Sequence, residues 1–501
     1  MQTTTARFVG FAVALAMLGG CPAADNGDGA TGGDMTATMT GQDGGTPDLQ
    51  PPTTCGNHVK DGNETDVDCG GSCPKCADSK MCNMDGDCAS AVCKTKMCAQ
   101  ASCGDGIKNG TETDVDCGGS CPKCIGGKTC AMDSDCETAP CKNSKCAIGA
   151  LNFAMPVFYK TSKASPGIAA GDFNADKSPD LVVSTDDGIE VFINAGDGTF
   201  KAPVAYMIGT FVLAWQPAVA DLNNDGNLDI VVPLFNTNKI VVFMGKGDGT
   251  FNMLAPFSAS RGPQVVAIAD MDGDKRLDLV IGLNIGNFVA VVLGNGDGTF
   301  GTPIAYDSGG ANPVGVGVLD LNGDGKLDVV VANSGYDPQG TRTMPSNVAT
   351  LLNSGTGKLM AATAAYTAVY PISVATGDWD GDGKTDYAVT DAMSNQVIVT
   401  LNGGATTMYK SGNGAYGLVA ADFTLDGKPD LVVANSGSSS LSLFGNLGGG
   451  MWDVPVGLLL NRAAPFNVVA SDFNRDGRMD IAVASRNGSM PGCYVLLNLT
   501  K

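Results

Sequence analysis

The pattern of apolar and polar positions changes character three times along the 501 residues. An unbroken apolar run, Phe8 to Leu18, comes first, with one arginine, Arg7, ahead of it. Residues 22–54 show no apolar period, and 55–146 carry few large apolar side chains. From 151 onward, short apolar runs alternate with turn-forming residues in a repeating unit. Each unit has a short apolar segment ("QPAVADL"), an acidic loop, a β-branched run ("LDIVVPL") and a second such run ("KIVVFMG"). A turn follows, "GDGTF" in three copies, and then a segment such as "KAPVAY". Four short β-rich segments joined by turn chemistry predict four antiparallel strands per unit, the make-up of a propeller blade.

The acidic loop marks the period. Its copies are "DFNADKSPD" (172–180), "DLNNDGNLD" (221–229), "DMDGDKRLD" (270–278), "DLNGDGKLD" (320–328), "DWDGDGKTD" (378–386), "DFTLDGKPD" (422–430) and "DFNRDGRMD" (472–480). Their starts lie 49, 49, 50, 58, 44 and 50 residues apart, so seven units fill 151–501. A period in this range signals a propeller, solenoid or array. The ends of the segment favour a closed ring. Residues 153–159, "FAMPVFY", match "FKAPVAY" at 200–206 although no unit precedes them, and the last unit stops at "YVLLNLTK" without a fourth strand. The N-terminal strand is expected to complete the seventh blade, which leaves no open sheet edge.

With seven copies of this motif, 151–501 resembles the FG-GAP/VCBS repeat family, which includes the head of integrin alpha chains. The resemblance implies an all-β fold, a seven-bladed propeller of four-stranded blades. Its acidic loops join the first two strands of each blade and bind calcium, up to seven Ca2+ in all. The side-chain ligands it implies are loop positions 1, 3, 5 and 9, with a backbone carbonyl from position 7. In this chain those are Asp172, Asn174, Asp176 and Asp180; Asp221, Asn223, Asp225 and Asp229; Asp270, Asp272, Asp274 and Asp278; and Asp320, Asn322, Asp324 and Asp328. The remaining loops supply Asp378, Asp380, Asp382 and Asp386; Asp422, Thr424, Asp426 and Asp430; and Asp472, Asn474, Asp476 and Asp480.

Elementary chemistry points the same way. Calcium takes six to eight oxygen ligands, alternate residues of a tight loop aim their oxygens inward, and a glycine at position 6 permits the sharp turn. Four loops, starting at 221, 320, 378 and 472, combine Asp or Asn at position 3 with that glycine. Lys177 and Lys275 replace it elsewhere, so those loops turn under strain or in another geometry, and Thr424 offers only a hydroxyl. Occupancy of the loops at 172, 270 and 422 is left open. The loops hold 23 of the chain's 52 acidic residues. The net charge of −21 is therefore mostly a cation-binding device. It also excludes nucleic acid, whose phosphates need clustered Lys and Arg. Asx-type turns that bind no metal are the alternative, and they fit this carboxylate density poorly.

Residues 55–98 and 103–146 form two cysteine-rich modules. Cys55, Cys69, Cys73, Cys76, Cys82, Cys88, Cys93 and Cys98 recur at an offset of 48 as Cys103, Cys117, Cys121, Cys124, Cys130, Cys136, Cys141 and Cys146. "TDVDCGGSCPKC" occurs in both copies, so this is a tandem duplication. Modules this small with so little apolar content need cross-links in place of a core. In an exported chain an even cysteine count means disulfides, while zinc at the Cys73–Cys76 spacing is the rival. Eight cysteines allow 105 connectivities, and the spacing does not choose among them. The modules resemble a cysteine-rich repeat of Gram-negative surface lipoproteins, to which no activity attaches, and they read as a stalk.

The N-terminal apolar run is too short to span a bilayer and suits a signal peptide, 1–20. Its end, Leu18-Gly19-Gly20-Cys21, resembles the bacterial lipobox, which implies cleavage before Cys21 and acylation of that residue. Residues 21–54 then read as a lipidated cysteine and a disordered Gly/Asp/Thr-rich tether, with a reach of roughly 30 Å. The chain is expected to be exported and lipid-anchored at the envelope, at the outer membrane or surface of a Gram-negative bacterium. It would meet the membrane only through the anchor.

The propeller contains no His, one Glu (Glu190) and one Cys (Cys493). That inventory is poor for acid–base or nucleophilic catalysis, so the expectation is a non-enzyme. It is a binding or adhesion module for an unknown extracellular protein or glycan. The alternatives are a metal-assisted, lyase-like enzyme on polysaccharide and an envelope component without a discrete ligand. A ligand would use the face opposite the acidic loops, where the longest insertion, 334–347, falls. Trp215, Arg261, Tyr336, Asp337 and Arg342 are the candidate contacts there.

Overall fold

The computed structural model describes residues 55–500 except 61, 105–106, 125–128, 137–140, 143, 147–150, 165, 337–345, 403, 405, 461–462 and 488. Cys21 and the segments on either side of it lie outside the described residues, as do Asp337 and Arg342. The chain divides into two compact units, the cysteine-rich segment and residues 147–501.

In the cysteine-rich unit the bridges are Cys55–Cys73, Cys69–Cys76, Cys82–Cys93 and Cys88–Cys98 in the first module. Cys103–Cys121, Cys117–Cys124 and Cys130–Cys141 repeat three of them at the offset of 48. Cys136, the counterpart of Cys88, is also disulfide-bonded, and the side chain of Cys146 lies outside the described residues. Cys73 and Cys76 belong to different bridges, so the CxxC pair is not a metal clip. The cystines are themselves the core, for Cys69, Cys76, Cys82, Cys88 and Cys98 form one buried cluster. Buried carboxylates fasten the loops between them. Asp87 accepts N–H bonds from Asn83 and Met84 at 2.8 and 3.1 Å, and Asp135 repeats this with Ala131 and Met132 at 2.8 and 3.0 Å. Those backbone donors hold both carboxyls below the usual carboxylate range.

The second unit is a seven-bladed propeller of antiparallel four-stranded blades, with no α-helix among the described residues. Blade one consists of Ile168–Gly171, Asp180–Ser184, Gly188–Phe192 and Val204–Met207. The second strand of every blade is buried at every position, as in Asp229–Leu234 and Asp328–Asn333. Such a strand packs on both faces, which is why it reads as a continuous apolar run rather than an alternation. The outermost strands are mostly exposed and turn one half-buried side chain inward, as Tyr206 in Val204–Met207. Two blades depart from the plain pattern. In blade two the outer strand is split into Phe251–Met253 and Phe257–Ser258, and in blade six a hairpin, Asn446–Gly448 with Met451–Trp452, precedes the last strand.

The ring closes as the repeated text predicts. Val157–Lys160 pairs with Gly492–Leu496 and so becomes the fourth strand of blade seven. Around the axis each first strand lies beside the next, and Pro465–Ser471 lies beside Ile168–Gly171. Blades seven and one also latch to their neighbours at the rim. The Tyr159 hydroxyl of the closing strand accepts the Phe200 N–H at 3.3 Å, and Tyr206 accepts the Phe251 N–H at 3.2 Å. The Tyr206 ring meanwhile sits edge-on to Phe251, with centroids 5.8 Å apart. A latch of this kind is worth about 1 kcal/mol beyond the area it buries, and it accounts for the recurring "PVAY" and "GDGTF" segments.

Candidate metal-binding loops

Each acidic loop joins the first strand of a blade to the second, and its backbone enters the left-handed region twice. Position 6 has φ between 68° and 88° in all seven loops, Lys177 (69°) and Lys275 (68°) included. The two lysines therefore hold the same turn as glycine, at a strain of about 1–2 kcal/mol each. Position 4 is left-handed as well, at Ala175, Asn224, Gly273, Gly323, Gly381, Leu425 and Arg475.

These two reversals aim the carboxylates at the loop's own amides. In the loop 221–229, Asp221 accepts the N–H groups of Asp225 (3.1 Å) and Gly226 (2.8 Å). The Asn223 carbonyl oxygen accepts the Asp225 N–H at 3.1 Å, and Asp225 accepts the Asn227 N–H at 2.8 Å. Position 7 then adds a cation in five loops. Arg276, Lys326, Lys384 and Arg478 lie 3.1–3.6 Å from the position-5 carboxylates Asp274, Asp324, Asp382 and Asp476. In loop six Lys428 is 2.5 Å from Asp426, whose side chain is fully buried.

Position 9 has a role that the spacing did not reveal. All seven of these aspartates are buried, and each spreads its two oxygens over two backbone donors, with a third, Thr424 N–H, at Asp430. Asp229 accepts Leu222 N–H at 2.9 Å and Gly245 N–H at 2.8 Å, which pins the loop entrance to the end of the third strand. Asp180, Asp278, Asp328, Asp386, Asp430 and Asp480 repeat the arrangement. Burial raises the pKa of every one. Asp180, Asp278 and Asp480 are pushed up to about 6 and Asp430 to about 7, because the N–H bonds offset only part of the desolvation.

The donor set fits a hard divalent cation. Oxygens of Asp270, Asp272 and Asp278 all lie within 4.8 Å of one another, and so do those of Asp378, Asp380 and Asp386. That is the spread of ligands on opposite sides of an ion with metal–oxygen distances of about 2.4 Å. In loop six the Thr424 hydroxyl is buried without a hydrogen-bond partner at position 3, where a ligand is expected.

The candidate ligand-face residues fare differently. Arg261 is exposed and Tyr336 is half-buried. Trp215 is 1% exposed, so it is not a surface anchor. It belongs to a cluster with Leu213, Phe235, Val314, Tyr370, Ile372, Ala392 and Phe466, against which Tyr336 and Tyr416 pack. Five blades contribute to that cluster, which puts it on the ring axis. The Arg486 guanidinium lies 5.1 Å over the Trp215 ring and 5.2 Å over Phe466, and burial lowers its pKa to about 10. A signal for this hub was present. Counting six residues back from each loop's first aspartate gives Pro166, Trp215, Gln264, Val314, Ile372, Tyr416 and Phe466, of which five belong to the cluster.

The model of the FG-GAP-like repeat matches residues 172–232, 234–281, 270–331, 320–389 and 422–483. These segments span more than half the chain, and the chain belongs to the FG-GAP repeat family. No curated protein matches it. Among solved structures it is similar to a streptogramin B lyase, at 15% identity and a TM-score of 0.48, covering 69% of this chain and 98% of that one. It is likewise similar to BBS1N in complex with ARL6DN, at 12% and 0.49, covering 69% and 96%. A lectin from Agrocybe aegerita that recognises non-reducing terminal N-acetylglucosamine gives 19% and 0.45, covering 68% and 87%. At these identities and scores the likenesses carry no argument about binding or catalysis.

Proposed function

We propose that this is a calcium-binding lipoprotein of the cell surface whose propeller serves as a binding or adhesion module for an extracellular protein or glycan. The observation that carries the metal part is the loop array. Seven loops of one geometry each gather hard oxygens around a buried aspartate, and two already bring three carboxylates within the reach of one ion. Position 9 would ligate through the lone pairs that its backbone donors leave free. Calcium there supplies charge neutralisation. The loop residues keep their oxygens preorganised by N–H bonds, and the five position-7 cations stand beside the position-5 carboxylates that would ligate the ion.

Exposure to an oxidising compartment is supported by the disulfides of modules whose core is cystine. No helix among the described residues is long and apolar enough to cross a membrane. The Leu18–Cys21 motif and the tether support attachment by acyl chains, since several chains on one cysteine anchor stably. The test has two parts. The producing cells are labelled with a fatty-acid probe, with Cys21→Ala as control, and the mature chain is screened on glycan and surface-protein arrays in calcium and in chelator. Acylation lost in C21A, with calcium-dependent binding, supports the proposal. An unlabelled chain that binds nothing in calcium overturns it.

A further inference from the structure

The residue two positions past the third strand is asparagine in five blades, and in four of them it joins neighbouring acidic loops. Asn498 of blade seven donates its backbone N–H to Asp480 at 2.6 Å and its side-chain N–H to the Phe423 carbonyl of loop six at 2.9 Å. Phe423 in turn donates its N–H to Asp430 at 2.8 Å. The same pattern continues across the other seam of that blade. Phe473 N–H reaches Asp480 (2.9 Å), the Phe473 carbonyl accepts from the Asn194 side chain (2.8 Å), and Asn194 N–H reaches Asp180 (2.8 Å). On the far side Asn446 joins the Trp379 carbonyl (3.0 Å) to Asp430 (2.8 Å), and Trp379 N–H bonds Asp386 at 3.0 Å. One relay of aspartate, peptide and asparagine therefore runs through loops five, six, seven and one.

A second, shorter relay joins loops three and four through Asn353, which bonds Met271 and Asp328 at 2.7 Å each. The two do not meet. Gly245 and Gly294 stand where blades two and three would need the amide, and Asn402 turns its side chain to Asp382 instead.

The long relay is centred on the blade that closes the ring. Blade seven is held together by hydrogen bonds between Val157–Lys160 and Gly492–Leu496, segments more than three hundred residues apart, and the relay crosses both of its seams. Arg475, at position 4 of loop seven, adds bonds to the Asp176 and Gly196 carbonyls of blade one at 3.3 and 3.4 Å. We infer that the relay is a cation-operated lock on ring closure: an ion in loop seven fixes Asp480, the relay's central node, and thereby holds the closing blade against its neighbours on both seams. This rests on the reading of the loops as calcium sites. The lock would leave the ring free to open where calcium is scarce and shut it where calcium is plentiful.

The closing blade carries its own reporter. Cys493 is a free thiol, 0% exposed, on the strand that receives Val157–Lys160, where it sits opposite Tyr159. Its reaction with a maleimide is followed in the mature chain, in calcium and in chelator, with tryptophan fluorescence reporting global unfolding. Chelation is expected to speed labelling at least tenfold below the unfolding transition. In calcium, Asn194→Ala and Asn498→Ala should each speed it at least fivefold, the worth of the one side-chain hydrogen bond of each that crosses a seam, while Asn353→Ala, in the other relay, leaves it unchanged. Labelling accelerated equally by N353A overturns the lock, for the thiol then reports general loosening. Calorimetry on the same samples separates the two readings. Bound calcium with no change in labelling overturns the lock alone, and no bound calcium overturns the functional reading with it.

Discussion

Without metal, acid should stabilise the propeller, the reverse of the usual behaviour of a protein rich in aspartate. The perturbation is removal of calcium by chelator, followed by thermal unfolding between pH 5 and pH 8. Asp180, Asp278 and Asp480 titrate near 6 and Asp430 near 7 in the fold, against an ordinary value of 3.8. A folded pKa raised above the unfolded one means that the folded state binds the proton more tightly. Its stability is then full below about pH 4 and is lost as pH rises through 6 to 7. Two pKa units correspond to about 3 kcal/mol and three to about 4. Half of the combined effect, spread over a domain of about 350 residues, moves the midpoint by roughly 10 °C. The position-5 carboxylates Asp324 and Asp382 are lowered by the backbone N–H groups of Lys326 and Lys384, so they act only below pH 4, outside this window. The assay is scanning calorimetry in chelator and in millimolar calcium. The expected result is a midpoint that falls by about 10 °C from pH 5 to 8 in chelator and stays level or rises in calcium, because ion and proton compete for the same oxygens. A chelated protein that gains stability from pH 5 to 8 would show that the buried position-9 aspartates do not bind protons more tightly in the fold.

Other expectations follow from single contacts. Asp386→Asn should abolish the ion of loop five and lower calorimetric stoichiometry by one; it also leaves the Trp379 or Asn402 N–H facing another donor, at a cost of about 1–3 kcal/mol. Trp215→Ala should cost about 3–5 kcal/mol in chemical denaturation, since it empties the centre of the hub. Replacing Cys88 and Cys98 together by serine should cost the first module about 2–4 kcal/mol, measured by protease resistance, and leave the propeller's unfolding midpoint unchanged.

Much of the fold was legible because the repeat writes the same text seven times. The closing strand could be assigned from "FAMPVFY" alone, for its counterpart stands beside a visible unit, and Val157–Lys160 pairs where that match places it. The acidic loops were legible as loops, since Asp, Asn and Gly at fixed offsets leave the backbone few alternatives. What stayed hidden depends on contacts between units. Position 9 looks like positions 1, 3 and 5 in the text, yet it is the one position buried in all seven loops, with an oxygen on the backbone at the end of the third strand. Trp215 looked like a surface anchor because it precedes a first strand on the open face. Its place on the ring axis emerges only when the corresponding residues of all blades are brought together. The left-handed turn at position 4 was missed because Ala175, Leu425 and Arg475 are poor predictors of it, and the strain there is offset by bonds the rest of the loop makes. The disulfide pairing needed the structure for a simpler reason: spacing does not encode which sulfurs meet.

The most direct test of the central claim is a calorimetric titration of the metal-free mature chain with calcium. At least four ions are expected to bind, in the loops beginning at Asp221, Asp320, Asp378 and Asp472, with a rise in unfolding midpoint as they do. No heat of binding and no rise in midpoint would contradict it, and the seven loops would then be metal-free turns held by their own backbone amides.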